Sequence, residues 1–145
     1  EGRAKNRRVE LHKVSGGNEK AIITIDFIKP LPNSVLESKY SYNDSALNIQ
    51  YTQPYSEKPE LKEFKGDLEV RNYNIMNGSK VDNSISRKEI IKNYENVLEL
   101  YNAKIVGLYG STLYFEIKDR GDGVGVYGLI SGYTGGYAVK FIVVL

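Results

Sequence analysis

The chain has 145 residues, 41% hydrophobic and 26% charged, which is the composition of one globular domain with a hydrophobic core. It has no cysteine, which excludes disulfides, thiolate nucleophiles and cysteine metal sites. Of the net charge of +2, residues 1–20 carry +3 (six basic, three acidic groups) and residues 21–145 carry −1 (14 basic, 15 acidic). The near-neutral body gives no reason to expect nucleic acid as a partner. No apolar run approaches the ~20 residues of a membrane-spanning helix.

The N-terminal part is expected to be separate from the rest. Arg7, Val9 and Leu11 alternate with other residues as in a short strand. The sequence SGGNEK that follows is typical of a linker. Because the chain begins with Glu rather than Met, we expect it to be a piece of a longer protein. We therefore divide it into residues 1–20, a terminal strand plus linker, and residues 21–145, a single domain.

The first part of that domain alternates between strand patterns and breakers. Residues 21–28 and 46–53 alternate apolar and polar side chains, so both segments are predicted to be strands. Between them, two prolines end the first strand, and residues 31–38 are expected to form a turn with a short apolar anchor. The polar segment 53–66, with two further prolines, predicts a solvated loop.

A further strand is predicted in DLEVRNYNI, which follows that polar segment. Leu68 and Val70 share one phase of the alternation, whereas Tyr73 and Ile75 lie on the opposite one. A slip of one residue near Arg71 would produce this change, which predicts a β-bulge there.

One segment is typical of an amphipathic helix. Ser86 and Glu89 match a capping box, in which each side chain satisfies a free backbone N–H at the start of a helix. The apolar residues that follow recur at spacings of three and four: Ile90, Ile91, Tyr94, Val97, Leu98 and Tyr101. Asn102 is expected to end the helix, so its bounds are about 86–102.

Four strand patterns separated by tight turns close the chain. They are residues 103–109, 112–118, 124–131 and 137–145. Such short connections favour an antiparallel meander. The last strand is apolar on both faces, so we expect it to be central or covered. The predicted fold is α+β: a mostly antiparallel sheet of about six to seven strands, with one helix packed on it.

The sequence shows no catalytic or metal-binding pattern. His12, the only histidine, has no supporting partner nearby. Residues 119–123, DRGDG, match turn chemistry and lack the ligand series of a calcium loop, although an Arg-Gly-Asp adhesion signal is an alternative. Carboxylates such as Glu95 and Glu99 lie on an expected exposed helix face, whereas a glycosidase needs two that converge in a cleft. We therefore expect no enzyme, no cofactor and no metal.

The tyrosines are the candidate binding residues. Five of the 12 are concentrated in the meander: Tyr109, Tyr114, Tyr127, Tyr133 and Tyr137. Tyr114 and Tyr127 are out of phase with the core-forming residues of their strands. If they share an exposed face, they form an aromatic platform suited to a sugar or a protein partner. The alternative is that a second layer of structure covers that face.

The N-terminal tail resembles a known envelope module. Gly2-Arg3, followed by NRRVEL at 6–11, resembles the closing strand of OmpA-like domains, which tether outer-membrane and periplasmic proteins to peptidoglycan. The resemblance implies that residues 1–14 end such a domain, in the periplasm of a Gram-negative bacterium and associated with the outer membrane. The peptidoglycan-binding Asp and Arg of these domains lie upstream of the closing strand. Peptidoglycan would therefore be contacted only through the missing domain.

The body resembles a small bacterial envelope domain of unknown function, similar to the group labelled DUF4892. Three segments carry the resemblance: KPLPNSVLES at 29–38, IKNYENVL at 91–98 and SGYTGGY at 131–137. The family helix commonly ends in Gly-Gly, whereas this one continues as Leu-Tyr-Asn-Ala, which leaves the helix end open.

These features predict a non-catalytic, periplasmic accessory domain of an OmpA-family protein that binds a protein partner or an envelope glycan. One alternative is a hydrolase acting on envelope polymers, which two converging carboxylates in a pocket would favour. Another is a purely structural spacer or oligomerisation module, which strand 137–145 exposed at a sheet edge would favour.

Overall fold

The computed structural model of the chain describes residues 31–52 and 58–145. The strands expected near the N-terminus and at 21–28, and His12, lie outside the described residues. The described elements are β1 (Ser34–Tyr51), β2 (Glu60–Asn77), β3 (Lys80–Val81), α1 (Arg87–Leu100), β4 (Lys104–Tyr109), β5 (Thr112–Ile117), β6 (Gly125–Tyr133) and β7 (Gly136–Val144). The α+β class is confirmed, with one short helix and a mostly antiparallel sheet in this part of the chain.

The strands form one antiparallel sheet in the order β1-β2-β7-β6-β5-β4, with the short β3 paired to β2. The predicted meander is present as β4 to β7, in which each strand pairs with the next. β7 lies between β2 and β6, which confirms that the last strand is central.

The first hairpin is longer than the sequence predicts. β1 and β2 each have 18 residues. The turn expected over 31–38 is present only at residues 31–33, where the Ser34 N–H donates to the Leu31 carbonyl oxygen at 3.3 Å, and the apolar anchor expected after it is exposed. The loop expected over 53–66 is wrong from Glu60 onward, and residues 53–57 lie outside the described residues. β1 already begins at Ser34, and the charged stretch from Glu60 onward pairs with β1. This stretch has few apolar side chains because most of its residues are exposed, which removes the alternation that normally identifies a strand.

The predicted bulge in β2 is also wrong. β2 pairs with β7 in an unbroken register from Asp67 opposite Val143 to Asn74 opposite Gly136. The register shifts occur in β1 instead, between Leu36 and Ser38 and between Tyr42 and Ser45. The apolar residues of β2 change phase because Leu68 and Val70 line one face of the sheet, whereas Tyr73 and Ile75 line the other.

The predicted helix signals act at both ends of α1. At the start, the Ser86 hydroxyl accepts a hydrogen bond from the Glu89 N–H at 3.1 Å. At the end, Asn102 takes a left-handed conformation with φ 58°. The Ala103 N–H donates to the Leu98 carbonyl at 3.0 Å, and the Asn102 N–H donates to the Glu99 carbonyl at 3.3 Å. These two hydrogen bonds form a Schellman motif, in which Asn102 occupies the left-handed position after the helix that glycine usually takes.

The main core lies between α1 and one face of the sheet, which we call the helix face. The helix contributes four buried residues: Ile90, Ile91, Tyr94 and Leu98. They pack against alternate residues of the sheet, among them Leu113, Phe115, Ile130, Val139 and Phe141. Because strand side chains alternate between faces, the residues between these sheet positions point to the opposite side.

The sheet curls around that opposite side, which we call the tyrosine face. Its outer strands meet where the Thr52 N–H donates to the Val106 carbonyl oxygen at 2.9 Å. Gly107 permits this approach, since a Cβ there would lie 2.2 Å from the Gln50 carbonyl oxygen. Any larger residue would push β1 and β4 apart.

Candidate functional site

The pairing registers arrange the side chains of the tyrosine face in rows that cross the sheet. We call the row Tyr40, Val70, Lys140, Leu129 and Tyr114 the central row. On one side of it lies the polar row, Ser38, Asn72, Ala138, Ser131 and Thr112. On the other side lies the closed row, Tyr42, Leu68, Ile142, Tyr127 and Glu116.

Four of the five sequence-predicted tyrosines lie on this face. Tyr114 belongs to the central row and Tyr127 to the closed row, so the expectation that the two share a face is met. Tyr109 is 54% exposed and pairs with Thr112 at the end of the polar row. Tyr133 lies over Gly136, and its hydroxyl donates to the Tyr73 carbonyl oxygen at 3.2 Å.

Tyr137 lies on the helix face, and its side chain is not available to a ligand. Its ring is fully buried, stacks on Tyr73 at 5.0 Å and meets Tyr94 edge-on at 5.2 Å between ring centroids. Its hydroxyl donates to the Ser34 hydroxyl oxygen at 2.8 Å. Burial raises the pKa of Tyr137, and the Ser34 hydrogen bond partly offsets this rise. Tyr137 is therefore a core residue with a satisfied polar group.

The distal part of the β1–β2 hairpin folds over the closed row. Phe64 stacks on Tyr127 with 3.8 Å between ring centroids and 9° between planes. The Tyr51 hydroxyl donates to Glu116 Oε1 at 2.8 Å. Ile49 of the hairpin and Ile142 of the closed row are completely buried, although neither belongs to the helix-face core. We call this region the closed end of the tyrosine face.

Glu116 supplies the buried charge of the closed end. Its side chain is 7% exposed, and Lys118 Nζ lies 3.9 Å from its second oxygen. Burial, followed by the hydrogen bond to Glu116, raises the pKa of Tyr51. Glu60, the exposed cross-strand neighbour of Tyr51, raises it further. At neutral pH, Tyr51 is thus a fixed hydrogen-bond donor to a carboxylate, which holds the hairpin against the sheet.

The central and polar rows lie outside the closed end. Tyr40 is 52% exposed at the outer edge of the central row, and Lys140 is exposed on the central strand. Lys140 has no ion-pair partner among residues 31–52 and 58–145. The polar row holds two side-chain pairs. Asn72 Nδ2 donates to Ser38 Oγ at 2.9 Å, and the hydroxyl oxygens of Thr112 and Ser131 are 3.2 Å apart.

Tyr40 and Lys140 were not predicted as site residues from the sequence. For Lys140 a signal was available, because it alternates with Val139 and Phe141 and must therefore face away from them. Tyr40 had no such signal. Its face is set by pairing with Val70 after a register shift in β1, and a register shift cannot be located in an isolated strand sequence.

The DRGDG segment forms the predicted turn. Asp119 Oδ1 accepts hydrogen bonds from the N–H groups of Gly121 and Gly123, both at 2.8 Å. Arg120 and Asp122 pair with each other, with 3.0 Å between Arg120 Nη2 and Asp122 Oδ2. The hydrogen bond from Arg120 lowers the pKa of the Asp122 carboxyl group. The charges of the Arg-Gly-Asp sequence are thus engaged with each other.

A concavity of about 580 Å³ lies at the start of β1, apart from the three rows of the tyrosine face. It is lined by Asn33, Val35, Leu36, Glu37, Asn74, Met76 and Gly78. Within the described part of the chain, no group of three His, Cys, Asp or Glu side chains could hold a metal ion. The one helix of that part is too short and too polar to cross a bilayer.

Comparisons with known proteins leave the family open. A scan against protein-family models found no match, and a search of curated proteins found no significant match. The resemblances to the OmpA-like closing strand and to DUF4892 therefore stay predictions that rest on the residues quoted for them.

Proposed function

We propose that this chain is a non-catalytic binding module of the bacterial envelope, which uses the part of its tyrosine face that residues 31–52 and 58–145 leave uncovered. One observation carries the proposal: Tyr109, Tyr114 and Tyr133 lie on the same sheet face, opposite the helix, and outside the closed end in which Phe64 stacks on Tyr127. Aromatic side chains with a polar tip are enriched at binding surfaces because they contribute large contact areas at low entropic cost. The closed end fixes the curvature of this face.

The periplasmic location and the attachment to an OmpA-like domain belong to the same proposal. They are supported by the tail sequence at residues 1–14 and by the three segments that resemble DUF4892. Cell fractionation of the natural protein tests them. We expect it in the outer-membrane fraction, and recovery in the cytosol would contradict the proposed location.

Binding is tested by NMR with the isotope-labelled full chain and a detergent-solubilised fraction of a Gram-negative envelope. We expect amide shifts on alternate residues of β1, β5, β6 and β7, around Tyr40 and Tyr114. Treating the fraction with protease or with periodate separates a protein partner from a glycan. Shifts confined to α1, or no shifts with any fraction, would contradict the proposal.

The hydrolase alternative rests on Glu116, a buried carboxylate on the same face, and on Glu60 near its partner Tyr51. A hydrolase would release new reducing ends from envelope glycan, and Glu116→Gln would abolish the release. The binding module predicts no release by either protein. The oligomerisation alternative was expected to use strand 137–145 as an exposed sheet edge. That strand is central in the sheet, so this observation does not favour oligomerisation.

A further inference from the structure

Lys140 occupies an unusual place on the sheet. It lies on the central strand β7, and its cross-strand neighbours are the apolar Val70 and Leu129. Three other cations of the sheet are engaged: Lys39 and Arg71 with Glu69, and Lys62 over the Tyr51 ring at 4.4 Å. Lys65, Lys80 and Lys104 have no such partner among the described residues, but they lie on β2, β3 and β4 rather than on the central strand. The Lys140 ammonium stands exposed in the middle of the tyrosine face, likewise without an anionic partner among the described residues.

Aromatic rings flank this charge on both sides. Tyr40 and Tyr114 are each two strands away from Lys140 along the central row. Neighbouring strands are about 4.8 Å apart, so each tyrosine lies about 10 Å from the lysine along the row. The central row therefore presents a ring, a positive charge and a ring in a line, and a ligand that spans it needs a repeating structure with an acidic group.

The polar row favours a glycan over a protein as the partner. Its Ser38–Asn72 and Thr112–Ser131 pairs lie about 7 Å from the central row, two residues along the strands. An apolar protein surface placed over these groups would remove their water without replacing its hydrogen bonds, which is unfavourable. Sugar hydroxyls can replace those hydrogen bonds, because each both donates and accepts.

The edges of the sheet do not favour an added peptide strand. Register shifts interrupt β1 between Leu36 and Ser38 and again between Tyr42 and Ser45. β4, at the other edge, has a shift between Ile105 and Gly107. Bulges of this kind protect sheet edges from further pairing. A ligand is thus expected on the face, where no described part of the hairpin covers the central and polar rows.

We propose that the uncovered tyrosine face binds an acidic glycan, with a sugar carboxylate paired to Lys140 and sugar rings stacked on Tyr40 and Tyr114. This rests on the proposed function and adds the ligand class to it. The carboxylate supplies the negative partner that Lys140 lacks among the described residues, and the sugar hydroxyls bind the polar row. The ion pair is solvent-accessible, so added salt weakens the interaction.

Two hexasaccharides that differ in charge test the ligand class. Hyaluronan hexasaccharide alternates N-acetylglucosamine with a carboxylate-bearing sugar, whereas chitohexaose contains N-acetylglucosamine alone. We expect the full chain to bind hyaluronan at least tenfold more tightly than chitohexaose by calorimetry. Lys140→Gln should remove this difference and leave the affinity for chitohexaose unchanged. Lys88→Gln, on the exposed side of the helix, is the matched control and should retain it.

The outcomes separate this inference from the proposed function. If Tyr40→Ala weakens binding of both sugars but Lys140→Gln changes nothing, the acidic-glycan inference is wrong and the binding face stands. If a tetra-aspartate peptide binds more tightly than hyaluronan, the glycan class is wrong. If neither sugar nor the peptide binds, the ligand inference fails, and the proposed function then depends on the envelope titration.

Discussion

Replacing Gly107 with alanine should open the closed end of the tyrosine face. The new Cβ would lie 2.2 Å from the Gln50 carbonyl oxygen, more than 1 Å short of an ordinary contact at 3.4 Å. The obstacle is backbone, so rotation of a side chain cannot relieve it. The strands must separate, which breaks the hydrogen bond from the Thr52 N–H to the Val106 carbonyl oxygen.

The expected loss of stability combines two effects. Overpacking costs about 1–3 kcal/mol, and loss of one backbone hydrogen bond costs about 1 kcal/mol. We therefore expect the free energy of unfolding to fall by about 2–4 kcal/mol in a urea titration. Hydrogen exchange at the Thr52 amide should accelerate.

Gly110→Ala is the control for this substitution. A Cβ at Gly110 meets nothing within 4 Å, and its φ of 61° costs only about 1–2 kcal/mol of backbone strain. It should leave exchange at Thr52 unchanged. If Gly107→Ala keeps the Thr52 amide protected and changes stability by less than about 0.5 kcal/mol, the closure of the sheet at this point is refuted.

Three further predictions concern the core, the helix ends and pH. Tyr137→Phe leaves the buried Ser34 hydroxyl without its hydrogen-bond donor. The free energy of unfolding, measured in urea, should therefore fall by about 1–2 kcal/mol. An unchanged value would show that the hydrogen bond contributes nothing. Asn102→Gly should be neutral or stabilising, whereas Asn102→Ala should be destabilising by about 1 kcal/mol. The reason is that glycine adopts the left-handed conformation of this position without strain and alanine does not. Equal thermal midpoints for the two variants would argue against the Schellman motif. Because burial and Glu116 raise the pKa of Tyr51 in the folded state, the unfolded chain loses the phenol proton first, above its usual pKa of about 10. The corresponding stability is present below about pH 10 and is lost as the pH rises towards the folded pKa, so Tyr51→Phe should show a shallower alkaline decline; parallel curves would count against the Tyr51–Glu116 contact.

Local signals explain which elements were predictable. The helix was predicted from a cap at Ser86 and an end at Asn102, and both act through hydrogen bonds within a few residues. The meander was predictable because its strands are joined by short turns, such as the one at Gly110 with φ 61°. In both cases the information lies close together in the sequence.

The long hairpin was harder to predict because its stability depends on distant contacts. Phe64 is one of two apolar residues in a charged stretch, and its partner Tyr127 lies 63 positions further along the chain. Tyr51 likewise depends on Glu116. No periodicity within β2 records these contacts, so a loop was the natural prediction for residues 53–66.

In the candidate site, too, the residues placed by local alternation were predictable and those placed by distant pairing were not. Strand alternation correctly placed Tyr114 and Tyr127 on one face. The same alternation in β7 puts Tyr137 on the side of Val139 and Phe141 and puts Lys140 on the opposite side. It would therefore have excluded Tyr137 from the candidate site and included Lys140. Tyr40 could not be found in this way. It joins the central row only through the pairing of β1 with β2, after a register shift that the sequence does not reveal.

The central claim is that the tyrosine face, rather than the rest of the surface, binds the ligand. The most direct test compares Tyr40→Ala with Tyr101→Ala, since both tyrosines are exposed (52% and 41%) but Tyr101 lies at the end of α1. Affinity for the solubilised envelope fraction is measured for both variants and for the parent chain. The account predicts a loss of at least tenfold for Tyr40→Ala and parental affinity for Tyr101→Ala. Equal affinities for all three proteins, or a loss only for Tyr101→Ala, would contradict it.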